Sequence, residues 1–223
     1  RLVPYWNGGP FVMLRVNVAN AVDKAVAGGN FADATGAPAA RDMTICSGRV
    51  VLGGIATGGT FDQRVQCSNF NTCDAWTATD ISELIDTPGS IIAVKAFGPL
   101  SFGVYKDDGV VLGQAQSATA AFQFQFIGDA IGPASPAAVV SAFGTHYWLA
   151  NDGLIYSFNG SKIDPVGTGL TRSGVQGFSY ANRMAAHGHL LHVAQPEIWW
   201  YYPSSTTATN ISAVSLNLVT GAI

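Results

Sequence analysis

Glycine recurs in this chain at a spacing that points to a repetitive fold. Gly48, Gly98, Gly144 and Gly188 lie 50, 46 and 44 residues apart. Each follows a small residue and one variable residue, and each precedes an apolar run. The segments are Cys46-Ser47-Gly48 before Arg49 to Leu52 and Ala96-Phe97-Gly98 before Leu100 to Tyr105. The others are Ala142-Phe143-Gly144 before His146 to Ala150 and Ala186-His187-Gly188 before His189 to Ala194. A period of this length marks a repeat architecture, in which one unit cannot bury its apolar faces alone and must stack on its neighbours.

Turn chemistry divides each unit into short strands. Asp107-Asp108-Gly109, Asn151-Asp152-Gly153 and Asn159-Gly160 each sit between apolar runs. Such pairs signal hairpins, because Asn, Asp and Gly tolerate positive φ. The third unit then reads as four strands, near 138–143, 146–150, 154–158 and 161–166. Ala142 to Tyr156 also lies over Ala186 to Trp200 without a gap. Four antiparallel strands per unit of ~40–50 residues is the pattern of a propeller blade. A β-sandwich, with strands every ~8–12 residues, is the competing architecture. The expectation is an all-β protein: a β-propeller-like array of about four four-stranded blades. The blades fall near 41–80, 90–130, 137–170 and 180–223. Residues 1–40 form an N-terminal strand and linker segment. The chain opens on Arg1 and ends without an obvious cap after Leu216-Asn217-Leu218, so the array is expected to be incomplete or part of a longer chain.

Within this frame, residues 11–18 alternate like a strand, 19–27 read as helix or loop, and 28–41 as a Gly/Ala-rich linker. Residues 53–75 read as a long loop with one strand around Gln63 to Cys67. Asp80-Ile81-Ser82-Glu83 has the spacing of a capping box and predicts a short helical turn over 81–85. Gly132-Pro133-Ala134-Ser135-Pro136 reads as a rigid connector between blades.

Composition narrows the function classes. Only 11% of the 223 residues are charged, against ~25% in an average soluble domain. Hydrophobic residues reach 48%, and there are 26 glycines. A chain so poor in charge suits extensive burial against other proteins. The net charge of −3 and the lack of Lys/Arg runs give no footprint for phosphate neutralisation. No stretch approaches ~18 uninterrupted apolar residues, so no membrane span is expected, and the N-terminus lacks the layout of a secretory signal. Cys46, Cys67 and Cys73 are expected as thiols rather than a framework, with Cys67–Cys73 as the one pairing open to them.

Candidate chemistry is sparse. His187 and His189 share one face of a strand while His192 faces the other, so three ligands do not converge with Glu197 without a bend. No metal or other cofactor is expected. Asp107, Asp108, Asp152 and Asp164 could supply a glycosidase pair. All four fall in turns, where Asp is favoured for its own backbone hydrogen bonds. No catalytic residues are assigned, and the chain is not expected to be an enzyme. Trp199-Trp200-Tyr201-Tyr202 is the one strong aromatic cluster. Two of these rings should face the core and two the opposite side, where they could anchor a neighbouring subunit or stack a ligand.

The order of several segments resembles the propeller-bearing tail hub or nozzle (tail tubular) proteins of tailed bacteriophages. The resemblance runs over about 41–202. It is carried by Arg49 to Leu52, Cys67-Ser68 with Trp76, Asp86-Thr87-Pro88-Gly89 with Ile91-Ile92, and Val104-Tyr105-Lys106. It continues through Phe124-Gln125-Phe126, Gly132 to Pro136, Tyr147 to Gly160 and Glu197 to Pro203. Such proteins are commonly longer, with an added platform that makes ring contacts. The resemblance implies a structural virion component, assembled in the host cytoplasm, in a homo-oligomeric ring with other phage tail proteins. Genomic DNA would pass its channel without specific binding. A carbohydrate- or receptor-binding propeller is the alternative, and a propeller hydrolase a further one.

Overall fold

The computed structural model describes residues 2–5, 12–15, 23–25, 40–57, 60–71, 76–116, 121–129, 132–167, 175, 177–191, 195–204 and 211–223. The chain is all-β, a propeller-like array of antiparallel sheets. A small N-terminal sheet comprises β1 (Leu2–Tyr5), β2 (Val12–Arg15) and β3 (Asp23–Ala25). The first blade holds β4 (Ala40–Cys46), β5 (Arg49–Thr57), β6 (Thr60–Phe61), β7 (Arg64–Ser68) and β8 (Trp76–Glu83). The second holds β9 (Ile91–Ala96), β10 (Ser101–Lys106), β11 (Val110–Ala115) and β12 (Phe122–Gly128). The third holds β13 (Val139–Ala142), β14 (Thr145–Leu149), β15 (Ile155–Phe158) and β16 (Ile163–Val166). The fourth holds β17 (His187–Leu191), β18 (Glu197–Pro203) and β19 (Ile211–Asn217).

Within each blade the strands pair as a meander, in the order β4-β5-β7-β8, β9-β10-β11-β12, β13-β14-β15-β16 and β17-β18-β19. The expected turns sit where the hairpins reverse. Ser47 and Gly48 have φ of 50° and 67°, and Phe143 and Gly144 have 50° and 77°. Two successive positive φ values make the turn whose twist matches that of its strands. Asp107–Gly109 joins β10 to β11, and Asn159-Gly160 joins β15 to β16.

The fourth glycine occupies a different place. Gly188 lies inside β17, not in a hairpin. A Cβ there would come within 2.5 Å of Val140 Cγ2 and 2.7 Å of Trp200 Cδ1. Glycine here permits the close approach of two blades. The gapless match of 142–156 to 186–200 therefore sets β17 over β14, whereas in the array β17 takes the place of β13. Trp148 and Trp200 both lie in the second strand of their blade, and both are fully buried. A 3-10 segment, Tyr180–Ala185, precedes β17. Among the described residues the fourth blade has three strands rather than four.

Three local expectations also give way to sheet pairing. Residues 81–83 are not helical but belong to β8, where Glu83 pairs with Arg64 and Ser82 with Val65. A capping box contributes only ~1 kcal/mol, less than a ladder that covers the edge of β7. Among the described residues of 53–75 strand outweighs loop: β5 extends to Thr57, and β6 folds back on it through Ala56–Phe61. Residues 23–25 form β3, paired with β2. The Gly/Ala-rich stretch at 28–39 lies outside the described residues.

Apolar residues from facing blades form the cores. Cys46, Val51, Val65 and Cys67 of the first blade pack on Ile91, Val94, Phe102 and Val104 of the second. Ala93, Tyr105, Val110 and Leu112 of the second meet Val139, Trp148 and Phe158 of the third. Val140, Ala142, Leu149 and Ile155 of the third meet Ile198, Trp200, Tyr202 and Leu216 of the fourth.

Each interface also carries a polar lock. Between blades one and two, Asp42 Oδ2 accepts from Val94 N (3.1 Å) and Lys95 Nζ (2.8 Å), and Thr44 Oγ1 accepts from Ala96 N (3.1 Å). Lys106, fully buried, donates to Gln63 Oε1 (3.0 Å), Leu84 O (2.6 Å) and Thr87 O. Between blades two and three, His146 Nε2 donates to Ala96 O (3.0 Å). A carbonyl can only accept, so Nε2 carries the proton and Nδ1 accepts from Tyr105 Oη at 2.6 Å. Between three and four, Trp200 Nε1 donates to Ala138 O (2.8 Å), and the Ser135 hydroxyl donates to Ala186 O. Ser135 also caps the 3-10 turn Pro136–Ala138, so the expected connector is both rigid and bonded to its neighbours.

Gly132 illustrates how tightly the connector sits. Its N–H donates to Asp107 O at 2.8 Å. A Cβ would fall 2.0 Å from Lys106 O and 2.8 Å from Asp107 Cα, both backbone atoms. Gly132→Ala is expected to lower stability by about 3 kcal/mol, the upper part of the overpacking range. Urea unfolding checks this, with Gly128→Ala as control, since nothing lies within 4 Å of a Cβ at 128.

Candidate functional site

Alternation along β18 sorts the aromatic cluster. Trp200 and Tyr202 are buried and point at the third blade. Trp199 and Tyr201 are half-buried on the opposite face. Their rings stack, with centroids 6.5 Å apart and planes 27° from parallel. Of the four aromatics, only Trp199 and Tyr201 are therefore placed to anchor a neighbour or stack a ligand.

His187 and His189 of β17 join the same face. The His187 ring stacks on Tyr201 at 5.3 Å and 20°, and His189 lies 5.3 Å from His187. His187 Nδ1 donates to Ala185 O at 3.1 Å, and Trp199 Nε1 donates to Glu197 Oε2 at 2.9 Å. The result is a strip of four rings on the side of the fourth blade that faces away from the third. His192 lies outside the described residues. Among the described residues no group of three His, Cys, Asp or Glu side chains is placed to hold a metal ion.

The turn acids take up a second place, at one end of the array. Asp107, Asp108, Asn151, Asp152, Tyr180 and Arg183 line an open cleft of about 530 Å³. They come from the second blade, the third blade and the segment before β17. Arg183 lies over the Tyr180 ring at 4.1 Å. Arg41, at the start of the first blade, donates to Ser90 Oγ and Ile91 O, both at 3.2 Å. Burial lowers its pKa; the Asp107 charge opposes that shift and the Arg183 charge adds to it.

Most of these acids have local hydrogen-bond duties. Asp107 Oδ2 accepts from Ser90 N (3.1 Å) and Ser90 Oγ (2.9 Å). Asp152 accepts from Leu154 N (2.9 Å) and Tyr156 Oη (3.1 Å). Burial, then the Asp152 charge and hydrogen bond, pushes the Tyr156 phenol up to about 12. Asp164 pairs with Lys162 at 2.5 Å, away from the cleft. Asp152 thus holds its own turn, Asp107 ties its turn to the Ser90 segment, and Asp164, expected in a turn, lies in β16 because it pairs with Ser157 in the ladder. Sequence reasoning missed the cleft as a unit, because Tyr180 and Arg183 meet the acids only through the stacking of blades.

Cys46 and Cys67 are buried. Burial pushes the Cys46 thiol up to about 11, and its Sγ donates to Pro99 O at 3.5 Å. Cys73 lies outside the described residues. No helix among the described residues is long and apolar enough to cross a membrane.

The fold and site define an all-β, propeller-like class of protein whose fourth blade carries an aromatic-lined face. No protein-family model matches the chain, and no curated protein sequence matches it.

Proposed function

We propose that this chain is a structural component of a phage virion tail, of the hub or nozzle kind, and that it works through protein–protein assembly rather than catalysis. The observation that carries the reading is the ring strip of Trp199, Tyr201, His187 and His189. It lies on the blade face that the third blade does not cover. Half-buried aromatics on such a face suit burial by a neighbouring copy or partner. The resemblance over 41–202 supplies the tail assignment, and the low charge of the chain suits a subunit that buries much of its surface. Copies arranged around the exit channel, together with other tail proteins, would let DNA pass without specific binding. The net charge of −3 gives phosphates no basic lining to adhere to.

The stacked Trp199 and Tyr201 rings favour one second reading, a module that stacks sugar rings. A single comparison separates the two. Sedimentation and negative-stain microscopy of the purified chain should show oligomers that Trp199→Ala with Tyr201→Ala disrupts. Monomer at all concentrations, with glycan-array binding lost in that double variant, would replace assembly with carbohydrate recognition.

A further inference from the structure

β12 is the outermost strand of the second blade, and among the described residues no strand pairs with its far edge. An unpaired edge offers free backbone donors and acceptors, and proteins usually blunt it with charge or proline. Two other outer strands follow that rule. β16 contains Asp164 and Pro165, and β8 contains Asp80 and Glu83. β12 contains neither charge nor proline.

Its sequence is also self-complementary. Phe122-Gln123-Phe124-Gln125-Phe126 reads the same in both directions. Antiparallel pairing of two copies about Phe124 sets Phe124 against Phe124, Phe122 against Phe126 and Gln123 against Gln125. Side chains alternate along a strand, so every phenylalanine meets phenylalanine on one face and every glutamine meets glutamine on the other. Phe122 and Phe124 already stand edge-on to Phe102, at 4.9 and 6.0 Å. Phe126 is 46% exposed, and Gln123 and Gln125 are exposed. The outer strand of the fourth blade, β19, is uncharged too, but Ile211–Asn217 has no such symmetry.

We propose that β12 is a homotypic docking edge, at which two copies of this chain join by antiparallel β12–β12 pairing across a twofold axis at Phe124. The contact is isologous: the same patch serves both copies. It uses backbone hydrogen bonds for affinity and the Phe/Gln alternation for register. Two five-residue strands bury less than the ~1,200 Å² of a stable specific complex, so the dimer forms in a concentration-dependent manner.

Charge placement at two exposed positions tests direction and register together, using sedimentation equilibrium of the full chain over a wide concentration range. Gln123→Lys with Gln125→Lys sets lysine opposite lysine twice, which should weaken the dimer roughly tenfold or more. Gln123→Lys with Gln125→Glu sets lysine opposite glutamate twice, and the dimer should hold at or above its original strength. Trp199→Ala should leave this dimer unchanged, which separates it from the assembly face. Both positions are solvent-exposed, and unchanged melting curves would verify folding. A wild-type chain that stays monomeric throughout, or two double variants that behave alike, would overturn the proposal.

Discussion

Trp200→Ala should cost about 4 kcal/mol of unfolding free energy, within the range for removing a fully buried tryptophan. The indole has no solvent exposure. It lies across from Gly188 in the β17–β18 pair and uses the room left by the absent side chain. Its truncation opens a cavity between the third and fourth blades. It also strips Ala138 O of a buried donor, and an unsatisfied carbonyl adds to the loss. Trp199→Ala, one residue away but half-buried on the other face, should cost about 1 kcal/mol or less. Urea unfolding of the two variants gives the comparison directly. Equal losses would mean that the blades do not stack through the Trp200 face.

Acidification should destabilise the chain by up to about 3 kcal/mol through His146 alone, taking ~1.4 kcal/mol per pKa unit. The imidazole is 1% exposed, stacked on Phe97 at 3.7 Å and bonded at both nitrogens. Burial lowers its pKa from 6.5 to about 4, against the Ala96 hydrogen bond and with help from the Lys95 charge. Burial raises the Tyr105 pKa well above its ordinary value, so Tyr105 remains the donor. The sign follows from proton uptake. Below pH 6.5 the unfolded chain protonates His146 while the folded chain does not. The contribution is therefore complete above that pH and is lost as pH falls toward 4. Stability of wild type and His146→Gln should converge by about 3 kcal/mol between pH 7 and pH 4. Parallel pH profiles for the two proteins would contradict a buried, neutral His146.

The contrast between His146 and the other histidines shows what a sequence makes legible. His187, His189 and His192 attract notice because they cluster. His146 sits alone within Thr145–Leu149, and its partners Tyr105 and Ala96 are 41 and 50 residues away. The one local signal is that it shares a strand face with Trp148, which marks that face as buried. Turns, by contrast, are written in adjacent residues. Asn151–Gly153 and Asn159-Gly160 reverse the chain where expected, each through a positive-φ glycine and side-chain hydrogen bonds of its own, and Asp107–Gly109 does so without a positive φ. Gly188 misleads for the same reason that it matters. A glycine kept for close packing of blades looks, in one dimension, like a glycine kept for a turn. The alternation of Trp199 to Tyr202 needs only the period of a strand, so its two faces were foreseeable. The cleft around Arg183 depends on how blades stack, and no local pattern encodes that.

Assembly into a tail is tested by looking for the chain in purified particles. Mass spectrometry of tailed virions, combined with electron-microscopic localisation by an antibody to this chain, reads both presence and place. Multiple copies per particle are expected, confined to the tail around the exit channel. Particles without the chain, with all of it recovered as soluble monomer, would contradict assembly into a tail.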